Sequence, residues 1–257
     1  MEGTLITPAR GFMAEHDHYH DDDGFWEAHA DRLGGPVCDV GAAAGRISLR
    51  VAARGHEVWA VDTDPEMLEV LRERAAGAGV ADRVHGVRGS MTGPLPVRGA
   101  GLVMIPMNSL QLMRSSDDRR ACFTAARDAL RPGGEMIFDL AMPHFPVIGD
   151  LIGVLLDTGH SVDPETRDLL MHQAVFERVD PECGEADMRI IIERIHADGS
   201  RTRVERPHHL HLYEPDEIPA LASGAGLEVV CCRAGFRDEP LAPDAERHVW
   251  RLRRPGP

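Results

Sequence analysis

The chain has 257 residues, 43% of them hydrophobic, and a formal charge of −14. That is enough apolar material for one large domain, or for a core with an insertion, and the acidic balance disfavours a nucleic-acid backbone as partner. All 28 basic residues are arginine, which excludes P-loop, pyridoxal-phosphate and protein-kinase chemistry, each dependent on a lysine. No apolar run reaches membrane-spanning length and no secretion signal is evident, so no membrane partner is expected. The five cysteines, an odd count without C-x-x-C spacing, fit reduced thiols and a cytoplasmic location.

In chain order, residues 1–35 form a His/Asp-rich arm that ends in a helix over Gly24 to Arg32. A short apolar run, Pro36 to Cys38, ends in Asp39 as a first strand, followed by the small-residue turn Gly41-Ala42-Ala43-Ala44-Gly45 and a helix. Val58 to Val61 is a second strand ending at Asp62. Asp64-Pro65 then opens a helix, with Asp as cap and Pro in the first turn. Val84 to Val87 and Gly101 to Ile105 are further strands, Asp117 to Leu130 a helix, and Glu135 to Leu140 a fifth strand. Short apolar runs alternating with helical patterns indicate a parallel βαβ sheet.

The pattern changes after Met142. A short helix around Val147 to Leu156 gives way to long alternating runs, Met171 to Val179, Ala186 to His196 and Thr202 to Tyr213. Asp198-Gly199 marks a hairpin between the last two. Pro215 to Gly226 returns to a helix, and Leu227 to Arg233 and Glu246 to Arg253 to strands. The expected fold is α/β: a Rossmann-like, seven-stranded, mostly parallel sheet with flanking helices and an antiparallel β insertion before the sixth strand. Its parts are an arm (1–35), a core (36–142 and 213–257) and an insertion (143–212) that acts as a substrate lid or dimer element.

The strand–turn–helix–strand–acid unit from Val37 to Asp62 is a nucleotide-binding arrangement. Asp62 lies 21 residues after Gly41, where its carboxylate can accept ribose hydroxyls. A dinucleotide fingerprint would need glycine where Ala43 stands. Asp39, just before the turn, would repel a phosphate and suit a cationic amino group. This combination resembles motif I of the class I S-adenosylmethionine-dependent methyltransferases, with Ala43 in place of the second glycine. Three further stretches in the right order are similar to the same family. They are Val61-Asp62-Thr63-Asp64-Pro65-Glu66-Met67-Leu68, Pro106-Met107-Asn108-Ser109-Leu110, and Leu130-Arg131-Pro132-Gly133-Gly134 through Asp139. The region before motif I and the closing Ala225-Gly226-Leu227-Glu228-Val229-Val230 resemble the small-molecule subgroup, the sarcosine and aminosugar N-methyltransferases.

The resemblance implies S-adenosylmethionine as cofactor and S-adenosylhomocysteine as product. It places Asp39, Gly41, Ala42, Ala43, Gly45 and Arg46 at the methionine end, and Asp62, Thr63 and Met67 at the adenosine. Ser90, where the family usually has an acid, and Met91 would contact the adenine, with Pro106 and Ser109 completing the set. Arg46 could instead bind a substrate carboxylate or orient Tyr19. Tyr19 is the candidate at the transferring methyl, and His144 the candidate general base for a hydroxyl nucleophile.

The reaction expected is methyl transfer to nitrogen or oxygen of a small molecule in specialised metabolism, with an amine preferred. The alternatives are a non-methylating cyclase or rearrangement enzyme on the same fold, and a catalytically silent scaffold. A homodimer built on the insertion is possible. His209, His211 and Tyr213 would share one face of a strand, a spacing that can bind metal. The carboxylate ligands of metal-dependent relatives are not evident, however, and no metal is expected.

Overall fold

A computed structural model describes residues 19–142, 145–163, 166–214, 216–242 and 245–256. The chain separates into two units. The larger comprises the described residues of Asp21–Met142 and Tyr213–Pro257, the smaller those of Met1–His20 and Pro143–Leu212.

Strands buried on both faces must be apolar along their whole length. Val37–Val40 (β1) and Ala100–Ile105 (β4) meet that condition, with every residue buried. They form the centre of the larger unit's sheet, flanked by Val58–Asp62 (β2) and Val84–Arg88 (β3) on one side and Leu130–Ala141 (β5) on the other. β1 to β5 are mutually parallel. Beyond β5, Arg247–Arg253 (β12) runs antiparallel, followed by Glu228–Ala234 (β10) and the two-residue Glu239–Pro240 (β11). The order β11-β10-β12-β5-β4-β1-β2-β3 thus has eight strands, one more than expected. β11 is too short to leave a periodic trace in the sequence.

Alternation along the strands divides the core in two. Leu102, Met104, Val58 and Ile137 pack with Trp26 and Ala30 of Phe25–Leu33 (α1), with Val51 of Arg46–Ala53 (α2) and with Leu71 of Pro65–Gly77 (α3). Val103, Ile105 and Phe138 pack on the other face with Phe123 of Ser116–Ala129 (α4) and Ala222 of Glu217–Ala225 (α6). A short helix, Phe145–Asp150 (α5), lies between them in sequence. Asp64 is the cap the sequence announces, accepting from the Glu66 N–H at 2.8 Å, and Ser115 caps α4 by accepting from the Asp118 N–H at 3.0 Å. Residues 21–35, expected with the arm, belong to the sheet unit, because Trp26 and Ala30 are fully buried in its core.

The smaller unit is a four-stranded antiparallel sheet in the order β6-β7-β8-β9. Its strands are Leu155–Val162 (β6), Leu169–Asp180 (β7), Glu185–Ile195 (β8) and Arg201–His211 (β9). The helix expected to reach Leu156 ends at Asp150, and Leu155 already belongs to β6. Gly153 turns the chain between them with φ +77°. β9 ends at His211, so Tyr213 does not share a strand face with His209 and His211. Its hydroxyl instead donates to the Leu110 carbonyl at 3.1 Å inside the larger unit. His209 lies 2.6 Å from Asp187 on the neighbouring strand. Among the described residues, no group of three or more His, Cys, Asp or Glu side chains is arranged to hold a metal ion.

Two glycines test this packing in opposite directions. A Cβ on Gly101 would lie 2.0 Å from the Gly34 carbonyl oxygen, where the end of α1 presses on β4. Gly101→Ala is therefore expected to cost about 3 kcal/mol, read from the denaturant midpoint. Gly77, at the end of α3, has nothing within 4 Å of its added Cβ. Gly77→Ala is expected to stabilise by about 0.5 kcal/mol.

Candidate functional site

In an open α/β sheet, ligands bind outside the carboxyl ends of the strands, where the strand order reverses. Here the reversal lies between β1 and β4, whose continuations lead to opposite sides of the sheet. The turn after β1 and the loop after β4 meet at that place. A Cβ on Gly41 would stand 3.1 Å from the Ser109 hydroxyl oxygen and 3.9 Å from the Met91 methyl carbon. Gly41 has φ +76°, so both the conformation and the close approach require glycine. Three loops, after β1, β3 and β4, thus converge on one glycine.

Four of the turn's five N–H groups are satisfied internally. Those of Gly41 and Ala42 donate to the Val61 carbonyl at 2.8 and 3.0 Å, and that of Gly45 to the Ala42 carbonyl at 2.8 Å. The Ala43 N–H donates to Asp62 Oδ2 at 2.8 Å. A phosphate cradle would need such donors aimed outward. Ala43 holds φ +46°, a conformation unusual for a residue with a Cβ. The bond to Asp62 is what holds it there. Asp62 Oδ1 accepts from the Asp64 N–H at 2.9 Å, so one carboxylate ties the turn, β2 and the start of α3 together. Each oxygen keeps a further lone pair for a ligand hydroxyl.

Asp39 is the second carboxylate. It is 1% exposed, and Ser48 donates to its Oδ2 at 2.6 Å. Oδ1 is buried with no hydrogen-bond partner. An orphaned buried carboxylate oxygen is costly and is satisfied by a cationic donor. Burial pushes the Asp39 carboxyl up to about 6, against the pull of Ser48 and Arg46.

Arg46 follows the turn as the first residue of α2. Its guanidinium makes a bidentate pair with Asp22 at 2.8 and 2.7 Å, and Trp26 donates to the same carboxylate at 2.9 Å. Asp22 is fully buried. A cation at the first position of α2 opposes the helix dipole, and the buried acid offsets it. Arg46 thus docks α1 onto α2. The Ser90 hydroxyl is also engaged locally, 2.8 Å from the Thr92 hydroxyl. Thr63 is exposed and Met67 is buried under the first turn of α3. Tyr19 belongs to the smaller unit. His144 lies outside the described residues.

The loop after β4 has its own support, which the sequence reading missed. Met107 and Asn108 both have φ +58°. Asp139, fully buried at the end of β5, accepts the Met107 N–H at 2.8 Å and pairs with Arg247. Arg247 also donates to the Asn108 side-chain oxygen at 2.9 Å. Burial pushes Asp139 up to about 6, opposed by Arg247. Pro106 precedes this turn, and its carbonyl accepts the Ser109 hydroxyl at 2.7 Å. Asp139 and Asn108 lie inside the quoted motifs, but nothing local points to Arg247, 108 residues further on.

The family comparison covers this part of the chain. Residues 37–134 match the family model described as "Methyltransferase domain". An uncharacterised methyltransferase from Mycobacterium bovis is 35% identical over 104 residues, which are 39% of this chain and 37% of that protein. A ribosomal protein L11 methyltransferase from Geobacter is 45% identical over 62 residues, 24% of this chain and 20% of that protein. The matched stretch thus spans well under half the length of these curated relatives. Among solved structures, the CcbJ methyltransferase of Streptomyces caelestis aligns over 99% of both chains with a TM-score of 0.73 and 23% identity. The amino pentose methyltransferase CalS10 of Micromonospora echinaspora aligns over 99% of this chain and 100% of its own, with a TM-score of 0.68 and 18% identity. At these identities the structures show the fold alone, shared along nearly the whole chain.

The raised Asp39 pKa has a direct consequence. Its unfolded value is 3.8 and its folded value about 6, so the folded form is favoured while the group is protonated. That stability is full below the unfolded value and is lost as pH rises through about 6. Asp39→Asn is expected to raise the thermal midpoint at about pH 8 and to change it little at about pH 4. A lower midpoint at the higher pH would contradict the assignment of a costly buried charge.

Proposed function

We propose that this chain transfers a methyl group from S-adenosylmethionine to a nitrogen or oxygen of a small molecule. The observation that carries the reading is the pairing of Asp39, with its unpartnered buried oxygen, and Asp62 across a turn in which the N–H groups of Gly41, Ala42, Ala43 and Gly45 are already used. Such a site suits a ligand with an ammonium at one end and ribose hydroxyls at the other. The methyltransferase domain over residues 37–134 and the fold of the solved relatives support the same conclusion.

In this reading Asp39 receives the ammonium of the methionine moiety and Asp62 the ribose hydroxyls. Gly41 lets that moiety lie against the turn, and Met91 offers an apolar contact to the adenine. The sulfonium supplies an activated methyl group, so what remains for the protein is alignment and exclusion of water. Ser109 and the loop held by Asp139 and Arg247 border the same place, and they would shape the space where the acceptor meets the methyl. A neutral amine is nucleophilic without a strong base, which favours nitrogen as acceptor. Solved relatives described as an amino pentose methyltransferase and a glycopeptide N-methyltransferase favour nitrogen as well. Tyr19, His144, cytoplasmic action and pairing into a homodimer through the insertion remain parts of the proposal.

Calorimetric titration with S-adenosylhomocysteine tests it. Micromolar binding is expected for the chain, weakened roughly tenfold or more in Asp62→Ala, the loss of one charge-assisted hydrogen-bonding group. No binding by the folded chain would overturn the reading. With a competent acceptor the product is S-adenosylhomocysteine; methylthioadenosine as the product would contradict methyl transfer.

A further inference from the structure

The sheet of the smaller unit has two edge strands of opposite character. An edge strand leaves its outer N–H and C=O groups open to pairing, and proteins block such edges with charge and proline. β9 is blocked in this way, since Arg201, Arg203, Glu205 and Pro207 are all exposed along it. β6 is not. Leu155 and Val162, at its two ends, are 51% and 42% exposed, and Ile152 and Val154 just before it are exposed as well.

β6 also reads alike from either end. An extra residue, Thr158, bulges out of its ladder with β7, so that Asp157 faces Gln173 and Gly159 faces His172. One added residue moves every later side chain to the other face of the sheet. Leu155, Asp157, His160 and Val162 therefore lie opposite Val175, Gln173, Met171 and Leu169, alternate residues of β7, and share one face. Leu156 and Ser161 take the other face, opposite Ala174 and Leu170. Along the first face the order is apolar, acid, base, apolar, symmetric about the bulge.

Two such strands, laid antiparallel about an axis between Thr158 and Gly159, match at every pair. Leu155 of one meets Val162 of the other, Asp157 meets His160, and Leu156 meets Ser161. Each pair lies on one face, as an antiparallel ladder requires. Without the extra residue the same register would set Asp157 and His160 on opposite faces. A bulge spoils an edge for a regular strand, but a second β6 carries the same bulge at the same place. We propose that a second copy of this chain pairs with the first, β6 to β6 in this register, joining the two four-stranded sheets into one. The His160 imidazole then donates to the Asp157 carboxylate of the other copy, twice by symmetry. Asp157 Oδ1 accepts the Gly159 N–H at 3.0 Å, which leaves Oδ2 for that bond. The inference rests on the homodimer proposed above, to which it gives a strand and a register, and not on methyl transfer.

Sedimentation velocity of the full chain tests it. The wild type is expected to be dimeric at micromolar concentration. His160→Asp sets two acids directly opposite each other and should weaken the dimer about tenfold or more. Asp157→Asn/His160→Asp removes that repulsion, keeps an acceptor for the Gly159 N–H, and should recover most of the loss. Oxidised together, the Leu155→Cys and Val162→Cys proteins should form a mixed disulfide dimer that neither forms alone. Cys183 is exposed in every sample, and the wild type gives its background. A monomeric wild type would overturn this inference and the homodimer with it. A dimer indifferent to His160→Asp, or one that yields no mixed disulfide, would overturn the β6 pairing alone. Binding of S-adenosylhomocysteine by the same samples reports on the methyl-transfer reading separately.

Discussion

The carboxylate of Asp62 is the bond on which the site depends. It receives the N–H of Ala43 and the N–H of Asp64. The first bond holds the turn after β1 in a conformation that its alanine disfavours, and the second fixes the entry to α3. A glycine at position 43 would adopt that geometry at little cost. With alanine there, Asp62 both shapes the turn and remains available to a ligand. Its loss should be felt as backbone disorder in the turn as well as a missing ligand contact.

Around that bond the site is built from burial that the fold alone would not favour. Asp39 and Asp139 are carboxylates with almost no solvent, one beneath the first turn and one beneath the loop after β4. Each is pushed up to about 6 by burial. Asp139 has recovered much of the cost through Arg247 and the Met107 N–H, and so holds two residues at positive φ. Asp39 has recovered less, because one oxygen has no partner. The difference marks Asp139 as a support of the loop and Asp39 as a point where a ligand can supply what the protein does not.

The parallel half of the fold was legible because its signals are local. Apolar runs and the Asp64-Pro65 cap each announce an element within a few residues. The insertion was legible as antiparallel strands but not in full. Ile148, Leu151, Ile152 and Leu155 have helical spacing, and they hide the break at Gly153 and the start of β6. In the site, the turn and its two acids were readable from spacing alone. The pairing of Arg46 with Asp22 was not, because Asp22 lies 24 residues earlier in an acidic run that reads as a solvated arm. Arg247 was invisible for the same reason at greater distance, since no pattern in one sequence joins β12 to the end of β5.

The central claim is that Asp39 Oδ1 is completed by a ligand ammonium. A double-mutant cycle isolates it: S-adenosylhomocysteine and its analogue lacking the amino group, each titrated into the wild type and into Asp39→Asn. The account expects removal of the amino group to weaken binding to the wild type by roughly tenfold or more, and to matter little in the variant. Equal loss in both proteins would mean that the ammonium is bound elsewhere, and the role given to Asp39 would be wrong.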